Sequence, residues 1–234
     1  MKLLVSLWRG FCYLVGTLVI ALSVYEFWFF VQILYWVDNN PQETRFMEAR
    51  IETLRQKDPK ARLQNRWTRY EAISVDLKRA IIVAEDAKFV DHEGFDWEGI
   101  QRAMDKNQKR GKIVAGGSTI TQQLAKNLFL SGERSALRKA QEAAITAMLE
   151  AVMDKRRIFE IYLNLAEWGE EVFGAEAAAR HYYGVSAADL APAQAARLAA
   201  MLPRPRYYDR HRDSAYLASY SDVILERMPG AQVP

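Results

Sequence analysis

Residues 80–94 read AIIVAEDAKFVDHEG. The spacing of Leu77, Ile81, Ala84 and Lys88 predicts a helix over Val75–Phe89, and its apolar run Ala80–Ala84 breaks on two adjacent carboxylates, Glu85 and Asp86. A carboxylate on an otherwise buried face is costly unless it is paired or used. Taken alone, such an acid reads as a helix end facing water. Residues 116–123, GGSTITQQ, weaken that reading, because a glycine turn is followed by six residues of which five are polar. No core helix is written that way. Ser118 is expected to cap a helix over Thr119–Phe129, whose start can face an anionic or sugar ligand. A third group, Lys126, Arg134, Arg138 and Lys139, has Glu142 one turn after Arg138, which by itself describes a solvated, ion-paired helix face.

Helix signals dominate on either side of these segments. Arg45–Lys57 reads as a polar helix, Asp96 can cap Trp97–Asn107, and Ser135–Val152 is long and alanine-rich. Asp154 can cap Lys155–Asn164, Gly174–Tyr183 ends at Gly184, and Ser186–Leu202 stops at Pro203 and Pro205. A last helix runs from Asp213 to Met228, and a short extended piece is expected around Arg66–Tyr70. The fold class is mainly α.

From Phe11 to Val37, 22 of 27 residues are hydrophobic and Glu26 is the only charge, so this segment is long enough to span a bilayer. The expected organisation is an N-terminus at 1–10, a membrane anchor at 11–33 and one globular domain at 38–234. No small-x-small cleavage site follows the apolar run before Asp38, which favours an anchor over a cleaved signal. Trp28, Tyr35 and Trp36 suit the far interface, towards which Glu26 would have to lie. Lys2 and Arg9 favour the N-terminus inside, although Arg45, Arg50, Arg55 and Lys57 leave the charge count undecided. With 32 basic and 29 acidic residues the net charge is only +3, which gives no case for nucleic-acid binding. The one cysteine, Cys12, excludes intrachain disulfides and cysteine-based zinc sites. There is no Walker loop, no GxGxxG, no HExxH and no serine acyl-transferase signature.

Taken together, the polar segments resemble the peptidoglycan glycosyltransferases, family 51 of the glycosyltransferases, in their single-domain form. EDxxFxxHxG is met by Glu85, Asp86, Phe89, His92 and Gly94, and GGSTITQQ by Gly116–Gln123. RKxxE is met by Arg138, Lys139 and Glu142, and KxxIxExYLN by Lys155, Ile158, Glu160, Tyr162, Leu163 and Asn164. A less sharp fifth match covers Arg197–Pro203, so order and spacing agree from about Ser74 to Pro203.

The resemblance implies a lysozyme-like helical domain with head and jaw lobes behind one transmembrane helix, and Lys106–Val114 is expected in the mobile or membrane-facing part. It implies polymerisation of lipid II into β-1,4-linked glycan outside the cytoplasmic (inner) membrane, with the catalytic domain on the periplasmic side. Glu85 would be the base that takes the acceptor 4-hydroxyl proton, and Glu142 the second acid. Lys126, Arg134, Arg138 and Lys139 would meet the departing pyrophosphate, while Ser118, Thr119, Gln122 and Gln123 would line the donor site. Tyr162, Leu163 and Asn164 are expected to shape the cleft wall. It firmly implies no cofactor, and leaves room for a divalent metal (Mg or Mn) at the pyrophosphate. Lipid II, the growing glycan and the membrane are the expected partners, together with transpeptidases and division or elongation proteins. Only 31 residues follow Pro203, so no transpeptidase is expected in this chain. Two rival readings are a lytic transglycosylase or hydrolase on a similar scaffold, which needs one acid and no cation cluster, and a membrane-anchored scaffold protein.

Overall fold

The computed structural model describes residues 2–112, 116–130, 132 and 135–234, and divides into two units, 1–40 and 41–234. The first is a single helix, α1 (Lys2–Asp38). It contains no proline to interrupt its backbone hydrogen bonds, and Thr17 Oγ1 donates back to the Tyr13 carbonyl. Its 37 residues rise about 55 Å, more than the roughly 30 Å of hydrocarbon in a bilayer. It is long and apolar enough to cross a membrane, and extends beyond both ends of the 11–33 segment.

Among the described residues the regular structure of the second unit is helical apart from one two-residue parallel pair and an isolated Glu167–Phe173 bridge. After α2 (Arg45–Arg55) comes β1 (Gln64–Asn65), which pairs with β2 (Val172–Phe173), Gln64 opposite Val172. The remaining helices are α3 (Val75–Glu85), α4 (Trp97–Arg110), α5 (Ile120–Phe129), α6 (Ala136–Val152), α7 (Lys155–Leu165), α8 (Ala175–Tyr183), α9 (Pro192–Met201), α10 (Pro205–Arg210) and α11 (Ala215–Arg227). Helix α3 packs against α9 and α11, and α5 against α2, α6 and α7. Leu77, Ile81, Phe89, Leu124, Phe159 and Trp168 are fully buried between these layers. The mainly helical class expected from the sequence is what the chain adopts.

Several boundaries differ from the sequence reading, each for a local reason. Helix α3 stops at Glu85 rather than Phe89, because Asp86 leaves helical geometry (φ −160°, ψ 77°) and its carboxylate is held by partners outside the helix. Thr119, not Ser118, caps α5, since its side chain accepts from Gln122 N while Gln122 Oε1 accepts from Thr119 N, a reciprocal capping box. The segment expected as one helix from Ser186 to Leu202 is a short 3-10 turn (Ala187–Asp189) followed by α9, with Pro192 at its first turn. Pro205 likewise starts α10 rather than ending a helix. The extended piece lies at Gln64–Asn65, just before the expected place, and Tyr70 opens a 3-10 turn. Helix α4 runs to Arg110, and residues 113–115 of the Lys106–Val114 stretch lie outside the described residues.

Candidate active site

The break at Asp86 builds the site. The Asp86 carboxylate is buried, accepts from Ile120 N at 3.0 Å and faces His92 Nε2 at 3.0 Å. Gly94 N donates to His92 Nδ1 at 3.1 Å, which leaves Nε2 to carry the proton donated to Asp86. Gly94 itself has φ +86°, and a Cβ there would stand 2.7 Å from Thr146 Cγ2, so glycine is required. The Gly94 carbonyl then accepts from Thr119 Oγ1 at 2.7 Å. One acid, one imidazole and one glycine thus clamp the end of α3 to the start of α5. The positive end of α5 was expected to be open to a ligand, but it is occupied from inside the protein, by Asp86 and by Thr119.

That clamp fixes Glu85 at the last turn of α3, beside a cavity of about 270 Å³ lined by Glu85, Lys88, Arg102, Gly117 and Ser118 among others. Glu85 is half-buried, and its Oε2 accepts from Gln123 Nε2 at 2.7 Å. Its Oε1 is buried without a hydrogen-bond partner among the described residues. Burial pushes the carboxyl above the usual glutamate range and Asp86 pushes the same way, while the Gln123 hydrogen bond and Lys126 oppose them. Gln123 is itself held, since Tyr162 Oη donates to its Oε1 at 3.1 Å. Gly117, in the cavity wall, lets the glycine turn lie close against α4, because a Cβ there would stand 3.0 Å from the Ile100 Cα.

The cations gather around Glu142. This buried carboxylate accepts from Arg138 at 2.7 Å through one oxygen and from Lys139 through the other. Lys139 also reaches Ser118 Oγ at 3.4 Å, which joins α6 to the glycine turn. Lys126, on α5, is half-buried and makes no hydrogen bond or ion pair of its own among the described residues. Burial lowers its pKa, Glu142 and Glu167 raise it, and Arg138 and Lys139 lower it further. Such a lysine has its charge uncommitted and ready for an anion. Both oxygens of Glu142 are engaged by cations, and among the described residues no three His, Cys, Asp or Glu side chains gather to hold a metal ion.

Of the expected site residues, the fold gathers Glu85 with Gln123, and Lys126 with Arg138, Lys139, Glu142 and Ser118. Thr119 and Gln122 are almost fully buried in the capping box, so they build the start of α5 rather than present polar groups to a ligand. Arg134 lies outside the described residues. Two residues carry more than the sequence reading gave them. Tyr162, expected as cleft wall, holds the partner of Glu85, and no one-dimensional signal shows that α7 reaches α5. Glu167 is a buried carboxylate 3.5 Å from Arg50 Nε and 3.6 Å from Arg206 Nε. Burial raises it to about 7 against the pull of both arginines. A partial signal was legible, an acid following the stretch Tyr162–Ala166, which is apolar except at Asn164.

The transglycosylase family model matches residues 50–229. Three similar proteins are each named biosynthetic peptidoglycan transglycosylase. That of Methylobacillus flagellatus is 60% identical over 227 residues, covering 97% of each chain. That of Dechloromonas aromatica is 63% identical over 211 residues, covering 90% of this chain and 91% of its own. That of Nitrosospira multiformis is 58% identical over 227 residues, again covering 97% of each. With its clamped carboxylate, its cation set and these near full-length matches, the chain belongs to the transglycosylase family.

Proposed function

We propose that this protein is a peptidoglycan glycosyltransferase that polymerises lipid II by inverting displacement at the anomeric carbon of the lipid-linked glycan. The observation that carries this reading is the pairing of one desolvated carboxylate, Glu85, with a separate group of cations around Glu142. Glu85 takes the proton of the attacking 4-hydroxyl, a role that its raised pKa and its unpartnered oxygen support. Lys126, Arg138 and Lys139 offset the charge that grows on the pyrophosphate as the bond breaks, so no acid is needed to protonate the leaving group. Glu142 keeps Arg138 and Lys139 aligned. A hydrolase acting on finished glycan has no departing phosphate and no use for three cations.

In this reading α1 anchors the protein in the inner membrane with residues 41–234 on the periplasmic side, where lipid-linked substrate and growing strand are held at the bilayer surface. Crosslinking of the product is a separate reaction, and the transpeptidases that carry it out are the proposed protein partners. The test is product analysis of the full chain on purified lipid II beside a cleavage assay on purified cell-wall sacculi. Polymer from the first and no cleavage in the second is the expected result. Cleavage without polymer overturns the reading in favour of a lytic enzyme.

A further inference from the structure

We infer that Tyr162 is a positioning residue for the proposed base: its buried hydroxyl pins the Gln123 amide so that the amide N–H, and not the amide carbonyl, faces Glu85. The inference rests on the reading of Glu85 as base. Tyr162 is 2% exposed, and its one hydroxyl bond among the described residues is the donation to Gln123 Oε1 at 3.1 Å. Gln123 Nε2 then donates to Glu85 Oε2 at 2.7 Å.

Turning the amide over would bring Oε1 to Glu85, an arrangement tolerable only when that carboxyl is protonated. It would also leave the buried phenol proton facing the amide N–H groups instead of an acceptor. The phenol holds that proton throughout the working range, since burial, Glu85 and Asp86 all push Tyr162 well above the ordinary tyrosine value. Tyr162 therefore selects, at two bonds' remove, the amide orientation that stabilises ionised Glu85, the form competent to accept a proton.

The other charged and titratable groups that bear on Glu85 are Asp86 beside it, Lys126 from α5 and Tyr220 from α11. Tyr220 is neutral as well, with burial and Glu85 raising it, and its hydroxyl donates to the Ala84 carbonyl at 3.3 Å. Asp86 is fixed by His92 and Ile120. Lys126 lies on α5, the helix of Gln123 itself, and makes no hydrogen bond to the amide among the described residues. None of these turns the Gln123 amide, so the orientation depends on Tyr162.

The test is the pH–rate profile of full-length Tyr162→Phe on lipid II, with Gln123→Leu alongside and an isotope-edited infrared titration of the Glu85 carboxyl without substrate. Phenylalanine keeps the ring and removes the hydroxyl, so the amide is free to turn. The sign follows from which form is stabilised: losing donation to the ionised carboxylate raises its pKa, so activity fails at a higher pH as the solution is acidified. An upward move of the acid limb by roughly one unit is expected, with most of the rate recovered at alkaline pH and the same direction in Gln123→Leu. The infrared titration should move with it. An acid limb and a titration that stay in place while kcat falls equally at every pH would overturn the inference, because that is what loss of packing alone gives. A titration that moves in a protein with no wild-type polymerisation would uphold the positioning of Glu85 and count against the lipid II reading.

Discussion

The carboxylate and the cations divide the chemistry between two residue sets with different kinetic signatures. Pyrophosphate gains charge on its bridging oxygen as the anomeric bond breaks, so a cation in a poorly solvated cleft stabilises the transition state more than the ground state. Lys126→Ala and Arg138→Ala are each expected to lower kcat by roughly tenfold or more, whereas loss of uniform phosphate binding would appear mainly in KM. Lys139 contributes a point charge that touches both Glu142 and Ser118, so Lys139→Arg should be milder than Lys139→Ala if charge alone matters. Steady-state kinetics on lipid II separates these cases, and unchanged kcat in both Lys126→Ala and Arg138→Ala would reduce the cluster to a solvated helix face. The raised pKa of Glu85 sets a further expectation. Wild-type activity should fall, as pH drops, at a value above the ordinary glutamate range, because the base is lost on protonation.

At the scale of elements, the site exists because the C-terminus of α3 and the N-terminus of α5 are locked together. Thr119→Ala removes the capping oxygen and the bond to the Gly94 carbonyl, and is expected to cost about 0.5–2 kcal/mol from the cap alone. Gly94→Ala must place a methyl against Thr146 at a left-handed φ, so it should destabilise further, and thermal denaturation of the two variants beside wild type checks both. These elements show how far the sequence could be read. Helix identities were legible from apolar spacing and from caps such as Asp96 and Asp154, whose side chains accept from Gly99 N and Arg157 N as expected. The Glu85 motif was legible as an acid breaking an apolar run. The role of Asp86 was not, because its partners, His92 and Ile120, are set by a chain reversal that no periodicity encodes. Thr119 and Gln122 looked like ligand-facing polar residues for the same reason, since only the fold shows that their polar atoms close on one another.

In the whole molecule a membrane-length helix precedes a helical unit whose proposed substrate is itself lipid-linked. Glu26 is the one charge in the apolar run Phe11–Val37, and Glu26→Leu should keep or strengthen membrane attachment, as flotation of membranes would show. A shortened chain beginning at Pro41 retains the whole second unit and should fold. It should lose more activity on membrane-embedded lipid II than on detergent-dispersed lipid II, and equal loss in both assays would mean that α1 belongs to the catalytic fold. The most direct test of the central claim is turnover of lipid II by full-length Glu85→Gln, with lipid II binding measured in parallel. The amide keeps the shape and hydrogen bonding of the side chain but cannot accept the acceptor proton. Binding should survive and polymerisation should fall by about 10²–10⁴. Turnover above half that of wild type would contradict it.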